Sequence, residues 1–340
     1  MTSNPKQKSQ KSAGAKAAQN TTIATTTANN AQQCQSTIKR DSGELASATE
    51  HILAASKSAA TRRAYACDVA HFLANGGHIP CRPEVVINYL TRFSQEKSVQ
   101  TLARRLIAIG QAHQEIFASS PVNVTVKNMM KGIRRLYGKR PDQKHPVRKT
   151  DLLDAVARND KRKPVQLARN IALLLLGFCG AFRRSELTAL KLEDLKFEAG
   201  GVEIFIRRSK TDQINAGDTK FIPYANGQRC PVLALMHWLN VSGTNQANAF
   251  VFRGVNRHDQ VAMTGLTPQS VALIVKSCIR SIGGDEKTFA AHSLRSGGIT
   301  AFAEAGHPIW SIKLVSLHKS DAQVSSYIRP LTKRNVASLL

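Results

Sequence analysis

The first half of the chain, from Ala46 to Tyr137, has apolar residues at helical spacing. Four apolar side chains share one face of the first predicted helix: Tyr65, Val69, Phe72 and Leu73. The same period predicts three more helices, over Pro83 to Phe93, Ser98 to Ile116 and Val124 to Leu136. The pattern therefore predicts a small all-helical domain of four or five helices.

After about Lys149 the pattern is mixed. The segment from Ala168 to Cys179 is apolar on nearly every side, which is typical of a buried helix. Ser185 has a side chain suited to cap a short helix that ends at Leu190. This part of the chain therefore opens with one core helix and one short helix.

Strand-like residues follow at Val202 to Ile206 and at Phe221 to Ile222, and the polar segment Arg207 to Gln213 between them predicts a hairpin tip. Five further helices are predicted: Val232 to Leu239, Thr267 to Ile282, Ser293 to Ala305, Pro308 to Val315 and Asp321 to Tyr327. Trp238 and Trp310 lie on apolar helix faces and are expected in the core. The expected fold is mainly α, with a helical N-terminal domain and a mostly helical C-terminal domain that contains a small antiparallel β-sheet.

Composition marks four segments along the chain. Residues 1–45 are rich in Gln, Asn, Thr and Ser and predict a disordered basic tail. The helical domain is predicted over 46–140, a basic linker over 141–149 and the second domain over 150–340. The tail could attract DNA phosphates or could simply aid solubility, and the sequence leaves both open.

Basic residues are concentrated around the predicted linker, where nine Lys and Arg between Lys127 and Lys149 face one acid, Asp142. Six of them are candidate contacts to a DNA backbone: Lys127, Lys131, Arg134, Arg135, Lys139 and Arg140. An exposed spacer is the alternative interpretation of the linker.

The whole chain is strongly cationic. Its 340 residues include 48 Lys and Arg against 23 acids, a formal net charge of +25 with a pI near 10.2, which indicates a polyanionic partner. The longest apolar run, Ile171 to Phe182, is much shorter than the roughly 20 residues that cross a bilayer. Six scattered cysteines without a C-x-x-C motif argue against a zinc ribbon or a disulfide framework. Since no secretory signal is evident, a cytoplasmic location is expected.

Six side chains of the second domain could carry chemistry: Arg183, Lys210, His292, Arg295, His318 and Tyr327. Each one alone has an ordinary structural explanation, such as an ion pair, a solvated lysine or a core aromatic. Their order and spacing are more specific, because His292 and Arg295 form a His-x-x-Arg motif and His318 stands 23 residues after Arg295 and nine before Tyr327.

This combination resembles the tyrosine recombinase (phage integrase) family, with spacings similar to its Cre-like members. The family motif of an arginine followed three residues later by an acid and then a leucine selects Arg183 over Arg184 here, with Glu186 as the acid. The chain departs from the family pattern at two positions. Ala181 stands where a glycine is usual, and Leu317 stands where the family usually has the Gly of a Leu-Gly pair.

The resemblance implies a site-specific recombinase that acts as a homotetramer on two double-stranded DNA sites. Tyr327 would be the nucleophile, Lys210 the general acid, and Arg183 with Arg295 the clamp on the scissile phosphate. Paired guanidiniums suit this task because they stay charged and bind phosphate oxygens in a bidentate manner. His292 or His318 would donate a hydrogen bond or move a proton, and Glu186 would orient the arginine or a histidine.

Two alternatives remain at this stage. A type IB topoisomerase-like enzyme would use the same chemistry but rejoin the same duplex, and a non-catalytic DNA-binding regulator would keep only the fold. No metal site or other cofactor is expected, because the six residues are not accompanied by an acidic cluster of the kind that holds magnesium ions.

Overall fold

The computed structural model describes residues 1, 47–49, 51–53, 55–139, 144–157, 163–207, 216–227, 229–290 and 292–332, without the side chains of 328–332. The chain forms two compact units, Met1–Pro141 and Asp142–Leu340. The predicted basic tail lies outside the described residues except for Met1, and so do Arg140 and Lys210.

Four helices with defined bounds lie in the described part of the first unit: α1 (Ala59–Ala74), α2 (Pro83–Phe93), α3 (Val99–Glu115) and α4 (Val124–Tyr137). The side chains of Ser58, Ser98 and Asn123 cap α1, α3 and α4 by accepting a hydrogen bond from a first-turn N–H. The core contains Phe72, but Leu73 is 47% exposed. The apolar face predicted for α1 is therefore narrower than its spacing indicated.

Eight helices lie in the described part of the second unit: α5 (Lys149–Ala157), α6 (Pro164–Cys179), α7 (Arg184–Ala189), α8 (Pro231–Ser242), α9 (Pro268–Ser281), α10 (His292–Glu304), α11 (Ile309–Ser316) and α12 (Asp321–Thr332). Two short 3-10 turns, Leu192–Asp194 and Glu286–Thr288, join them. The apolar helix α6 is buried, as its sequence predicts, and packs against α8 and α10.

Two glycines allow α6 and α10 to approach closely. A Cβ at Gly177 would lie 2.5 Å from the Leu294 side chain, and a Cβ at Gly298 would lie 2.1 Å from the Phe178 carbonyl oxygen. Larger residues would push the helices apart. The close approach brings Arg295 on α10 against the C-terminal end of α6.

A three-stranded antiparallel sheet follows α7, formed by β1 (Leu195–Glu198), β2 (Gly201–Ile206) and β3 (Asp218–Pro223) in that order. Ile204 pairs with Lys220, and the side of β3 that carries Lys220 and Ile222 faces inward. A second sheet pairs β4 (Arg253–Val255) with β5 (Val261–Gly265). The sequence did not predict this sheet, because β4 is three residues long and the pairing is irregular.

Two local predictions were wrong. Trp238 is buried, but Trp310 is 67% exposed because α11 turns Ile312 and Ser316 inward instead. The short helix α7 begins at Arg184 and its N-cap is Arg183, not Ser185. The cause is Glu186, whose carboxylate accepts a hydrogen bond from the Arg183 backbone N–H at 2.9 Å.

The described residues of the predicted linker pack on the second unit. The backbone N–H of His145 donates to the Thr288 carbonyl, that of Val147 donates to the Ser293 carbonyl, and the Val147 side chain is buried. This segment therefore reaches the start of α10. Among the described helices, none combines the length and apolar character required to cross a membrane.

Candidate active site

Arg183, which is partly exposed, forms an ion pair with the buried Glu186 at the start of α7. The Glu186 side chain accepts one hydrogen bond from the Arg183 guanidinium, 2.6 Å from Nη1, and one from the Arg183 backbone N–H. Arg183 Nη2 also lies 3.4 Å from the Leu317 carbonyl oxygen. Because both carboxylate oxygens of Glu186 bind Arg183, the acid holds the arginine in place rather than a histidine.

Arg295 is 1% exposed and joins two loops. Its Nη1 donates to the Ala181 carbonyl oxygen and its Nη2 to the Ser316 carbonyl oxygen, each at 2.6 Å. Burial and the neighbouring positive charge of Arg183 lower the pKa of Arg295 to about 10, so it stays charged at neutral pH. A guanidinium has five N–H groups, and these contacts do not use all of them.

His318 is held in one tautomer by its neighbours. The Ser316 hydroxyl donates to the Ile312 carbonyl, so at 2.7 Å it must accept from His318 Nδ1. His318 Nε2 is then free to accept from Arg295 Nη2 at 3.1 Å. Burial, followed by the charges of Arg295 and Arg183, lowers the pKa of His318 to about 3. The ring is therefore neutral at physiological pH and supports Arg295.

Tyr327, on α12, is hydrogen-bonded to His292 at the start of α10. The Tyr327 hydroxyl lies 2.9 Å from His292 Nε2, and the tyrosine ring also lies near His318, with ring centroids 6.0 Å apart. Burial raises the pKa of Tyr327, while Arg295 and Arg183 act in the opposite direction. A half-buried phenol beside an imidazole has a proton acceptor within reach.

One cavity of about 550 Å³ brings these side chains together. Five of the six candidate residues line it: Arg183, His292, Arg295, His318 and Tyr327. Two permanent cations, two imidazoles and a phenol thus surround a space that suits an anionic group. Within the described residues, no cluster of three or more His, Cys, Asp or Glu is placed to hold a metal ion.

The sixth candidate, Lys210, follows β2 and precedes β3 in the chain and lies outside the described residues. Of the predicted DNA contacts, five are exposed: Lys127, Lys131, Arg134, Arg135 and Lys139. Four of these lie on α4, where the spacing from Lys127 to Lys131 and Arg134 puts them on one helix face.

The structure also brings in Lys220, which sequence reasoning missed. It is 3% exposed, and its Nζ donates to the carbonyl oxygens of Gly180 at 2.6 Å and Val315 at 2.8 Å. Burial lowers its pKa to about 7; the charge of Glu186 acts in the opposite direction, while those of Arg295 and Arg183 act in the same direction. The available signal was the alternation of inward and outward side chains along a strand. Lys220 is two residues before the buried Ile222, so both side chains lie on the same face of β3.

The two departures from the family pattern both lie at this site. Ala181 has a φ of +46° and Leu317 a φ of +53°, so both are in the left-handed region that favours glycine. Their carbonyl oxygens accept from Arg295 and Arg183. The unusual backbone therefore orients acceptors toward the two arginines, and the chain adopts it with side chains that disfavour it.

Comparison with known proteins agrees with this architecture. Residues 148–334 match the model of the Phage integrase family. An integrase/recombinase xerD homolog from Selenomonas ruminantium is 36% identical over 283 residues, which cover 80% of this chain and 82% of that protein.

Two solved structures share the fold. XerH site-specific recombinase, bound to palindromic difH substrate in a post-cleavage complex, superposes with a TM-score of 0.56 at 19% identity, over 76% of this chain and 73% of the other. A lambda integrase dimer bound to a COC′ core site gives a TM-score of 0.56 at 14% identity, over 83% and 75% of the two chains.

The fold and the sequence matches define a tyrosine recombinase. The chain belongs to the phage integrase family, and this membership supports site-specific recombination as its activity. The resemblance stated from the motifs is thereby confirmed, together with the mainly helical fold that contains small antiparallel sheets.

Proposed function

We propose that this protein cleaves and rejoins DNA at a specific site through a covalent 3′-phosphotyrosyl intermediate. The observation that carries the proposal is the convergence of Arg183, His292, Arg295, His318 and Tyr327 on one cavity, with the Tyr327 hydroxyl 2.9 Å from His292 Nε2. Their positions span 145 residues of sequence, so local structure alone does not explain their convergence.

In the proposed step, the Tyr327 oxygen attacks the scissile phosphorus and the phenolic proton passes to His292 Nε2. A bond forms between the tyrosine oxygen and phosphorus, and the bond between phosphorus and the 5′-oxygen breaks. The new phosphoester keeps the energy of the broken one, so a 5′-hydroxyl can reverse the step without a nucleotide cofactor. Rejoining to a partner duplex gives recombination.

The attack places additional negative charge on the nonbridging phosphate oxygens. Arg183 and Arg295 line the cavity as fixed cations, and this preorganised charge stabilises the transition state more than mobile water does. Glu186 keeps Arg183 in position, while His318 supports Arg295 through Nε2. Lys210 is proposed to protonate the departing 5′-oxygen.

DNA contacts are proposed along the basic face of α4 and, in the same region, at Lys139 and Arg140. The XerH and lambda integrase structures described above are complexes with DNA, which supports a DNA partner for this chain as well. We further propose that four protomers act on two sites, since an exchange of strands between duplexes needs two cleaved sites at once.

The test is covalent capture. A DNA site is first selected by binding from a random-sequence pool, and a nicked version that loses its short leaving strand is then incubated with protein and run on a denaturing gel. Wild type should form an adduct that Tyr327→Phe lacks while still binding the DNA. Tyr224→Phe is the matched control, because Tyr224 is exposed on the β3 side of the unit and does not line the cavity.

If wild type binds its site and forms no adduct, the protein is a DNA-binding regulator. A substrate with two sites separates the remaining possibilities. Exchanged arms support recombination, whereas relaxation of supercoils without exchange supports a topoisomerase-like activity.

A further inference from the structure

Lys220 connects two backbone segments that lead to residues of the cavity. Its Nζ donates to the Gly180 carbonyl oxygen at 2.6 Å and to the Val315 carbonyl oxygen at 2.8 Å. Gly180 is three residues before Arg183, and Val315 is three residues before His318. One ammonium group therefore links the segment that leads to Arg183 with the segment that leads to His318.

Arg295 links the same two segments, with acceptors one residue further along each of them. It donates to the carbonyl oxygens of Ala181 and Ser316, the residues that follow the two acceptors of Lys220. Both segments lie at helix C-termini, because Gly180 and Ala181 follow α6 directly, while Val315 and Ser316 belong to the last turn of α11. Carbonyls at a helix C-terminus carry partial negative charge. Two adjacent basic side chains thus hold two helix ends together.

The two segments need the hydrogen bonds from Lys220 and Arg295 because each segment leads to a residue with a strained backbone. Ala181 and Leu317 both have positive φ, a conformation that is unfavourable for a residue with a side chain. The four carbonyls that accept from Lys220 and Arg295 belong to residues at, or within two positions of, Ala181 and Leu317. Without the Lys220 contact, Gly180 O and Val315 O lose an N–H donor, and the backbone at Ala181 and Leu317 can relax toward ordinary dihedral angles.

Lys220 itself does not reach the reacting group. It is nearly fully buried, it does not line the 550 Å³ cavity, and its ammonium lies 4.5 Å from the centroid of the Phe182 ring, beside Arg183 in the chain. Its effect on chemistry must therefore pass through the residues that it holds.

We infer that Lys220 is a positioning residue for DNA cleavage: by tying Gly180, at the end of α6, to Val315, in the last turn of α11, it sets the geometry with which Arg183 and Arg295 bind the scissile phosphate. This inference rests on the proposed cleavage function.

The experiment measures single-turnover cleavage of the selected site with saturating protein, so that DNA affinity does not enter the rate. Lys220→Met keeps the length of the side chain and removes its donors, and it should slow cleavage by about 10- to 100-fold. Lys196→Met is the matched control on the same sheet, because Lys196 is exposed, pairs with Glu198 and does not line the cavity. The control should cleave at the wild-type rate.

A second substrate distinguishes positioning from general damage. In a methylphosphonate, one nonbridging oxygen of the scissile group is replaced by methyl, which removes the charge that the arginines bind. If Lys220 acts through the arginines, Lys220→Met should slow cleavage of this neutral substrate by less than about fivefold relative to wild type, a non-additive result. Lys220→Arg, which keeps positive charge and N–H donors, should recover most of the phosphodiester rate.

An equal loss on both substrates, or no loss at all, would overturn the inference. If Lys220→Met does not fold, Lys220→Gln is used in the same comparison, because its uncharged amide keeps N–H donors on a shorter side chain. Failure of the proposed function gives a different result, since wild type itself would then form no adduct.

Discussion

The buried ammonium of Lys220 should make the stability of the second unit depend on pH. In the folded protein, burial lowers the pKa of Lys220 to about 7, whereas an unfolded lysine titrates near its ordinary value of 10.5. Between these two values the unfolded chain binds more protons than the folded one. Stability that derives from Lys220 therefore increases as pH rises through this window, and no further change is expected below about pH 7.

The magnitude follows from the two pKa values. From about pH 7 to about pH 9.5, the linkage relation gives a gain of about 2–3 kcal/mol for wild type relative to a variant that lacks the amine. The groups whose charges act on Lys220 are Glu186 and Asp218, which raise its pKa, and Arg183 and Arg295, which lower it. All four are present in both proteins, so their own titration largely cancels in the difference.

The assay is urea unfolding of wild type and Lys220→Met at several pH values in this range, followed by tryptophan fluorescence. Both tryptophans, Trp238 and Trp310, belong to the second unit, and Trp238 is fully buried, so the signal reports on the unit that contains Lys220. The quantity of interest is the difference in unfolding free energy between the two proteins at each pH.

A difference that stays constant with pH would refute the reasoning, because it would mean that Lys220 has the same pKa in the folded and unfolded chains. A difference that falls with rising pH would show that the folded site raises the pKa of Lys220 instead. Lys196→Met, which alters an exposed lysine on the same sheet, should give no comparable slope.

Two further predictions concern the arginine clamp and the DNA surface. Glu186→Gln should destabilise the second unit by about 2–3 kcal/mol in the same urea assay, because each carboxylate oxygen accepts one hydrogen bond from Arg183 and the substitution replaces one of these oxygens with an NH2 donor. Glu198→Gln, at the exposed end of β1, should cost less than about 0.5 kcal/mol, and equal losses would contradict the assigned role. Lys131→Ala should reduce the slope of log Kd against log salt concentration by about 0.9 in a DNA-binding titration, and an unchanged slope would mean that Lys131 does not contact a phosphate.

The helices were the most predictable part of the fold. In α2 and α4 the helical period predicts the element to within one residue, since neighbours three and four apart in sequence are also neighbours on the helix surface. The ends of the elements, and the helix faces that pack against other elements, were less predictable. Trp310 lies on a helix with apolar residues on both sides, and only the packing of Ile312 against Val324 and Ile299 decides which side is buried.

Motif order predicted the family before any coordinates, because the residue types suited to phosphate chemistry recur at fixed spacing, and net charge predicted an anionic partner. The tertiary structure decided how those residues are held. Lys220 binds carbonyls 40 and 95 positions away in the chain, and the tautomer of His318 follows from which acceptor the Ser316 hydroxyl has already taken. Such contacts depend on the meeting of distant helix ends in space, and sequence periodicity, which reports only on near neighbours, carries no record of them.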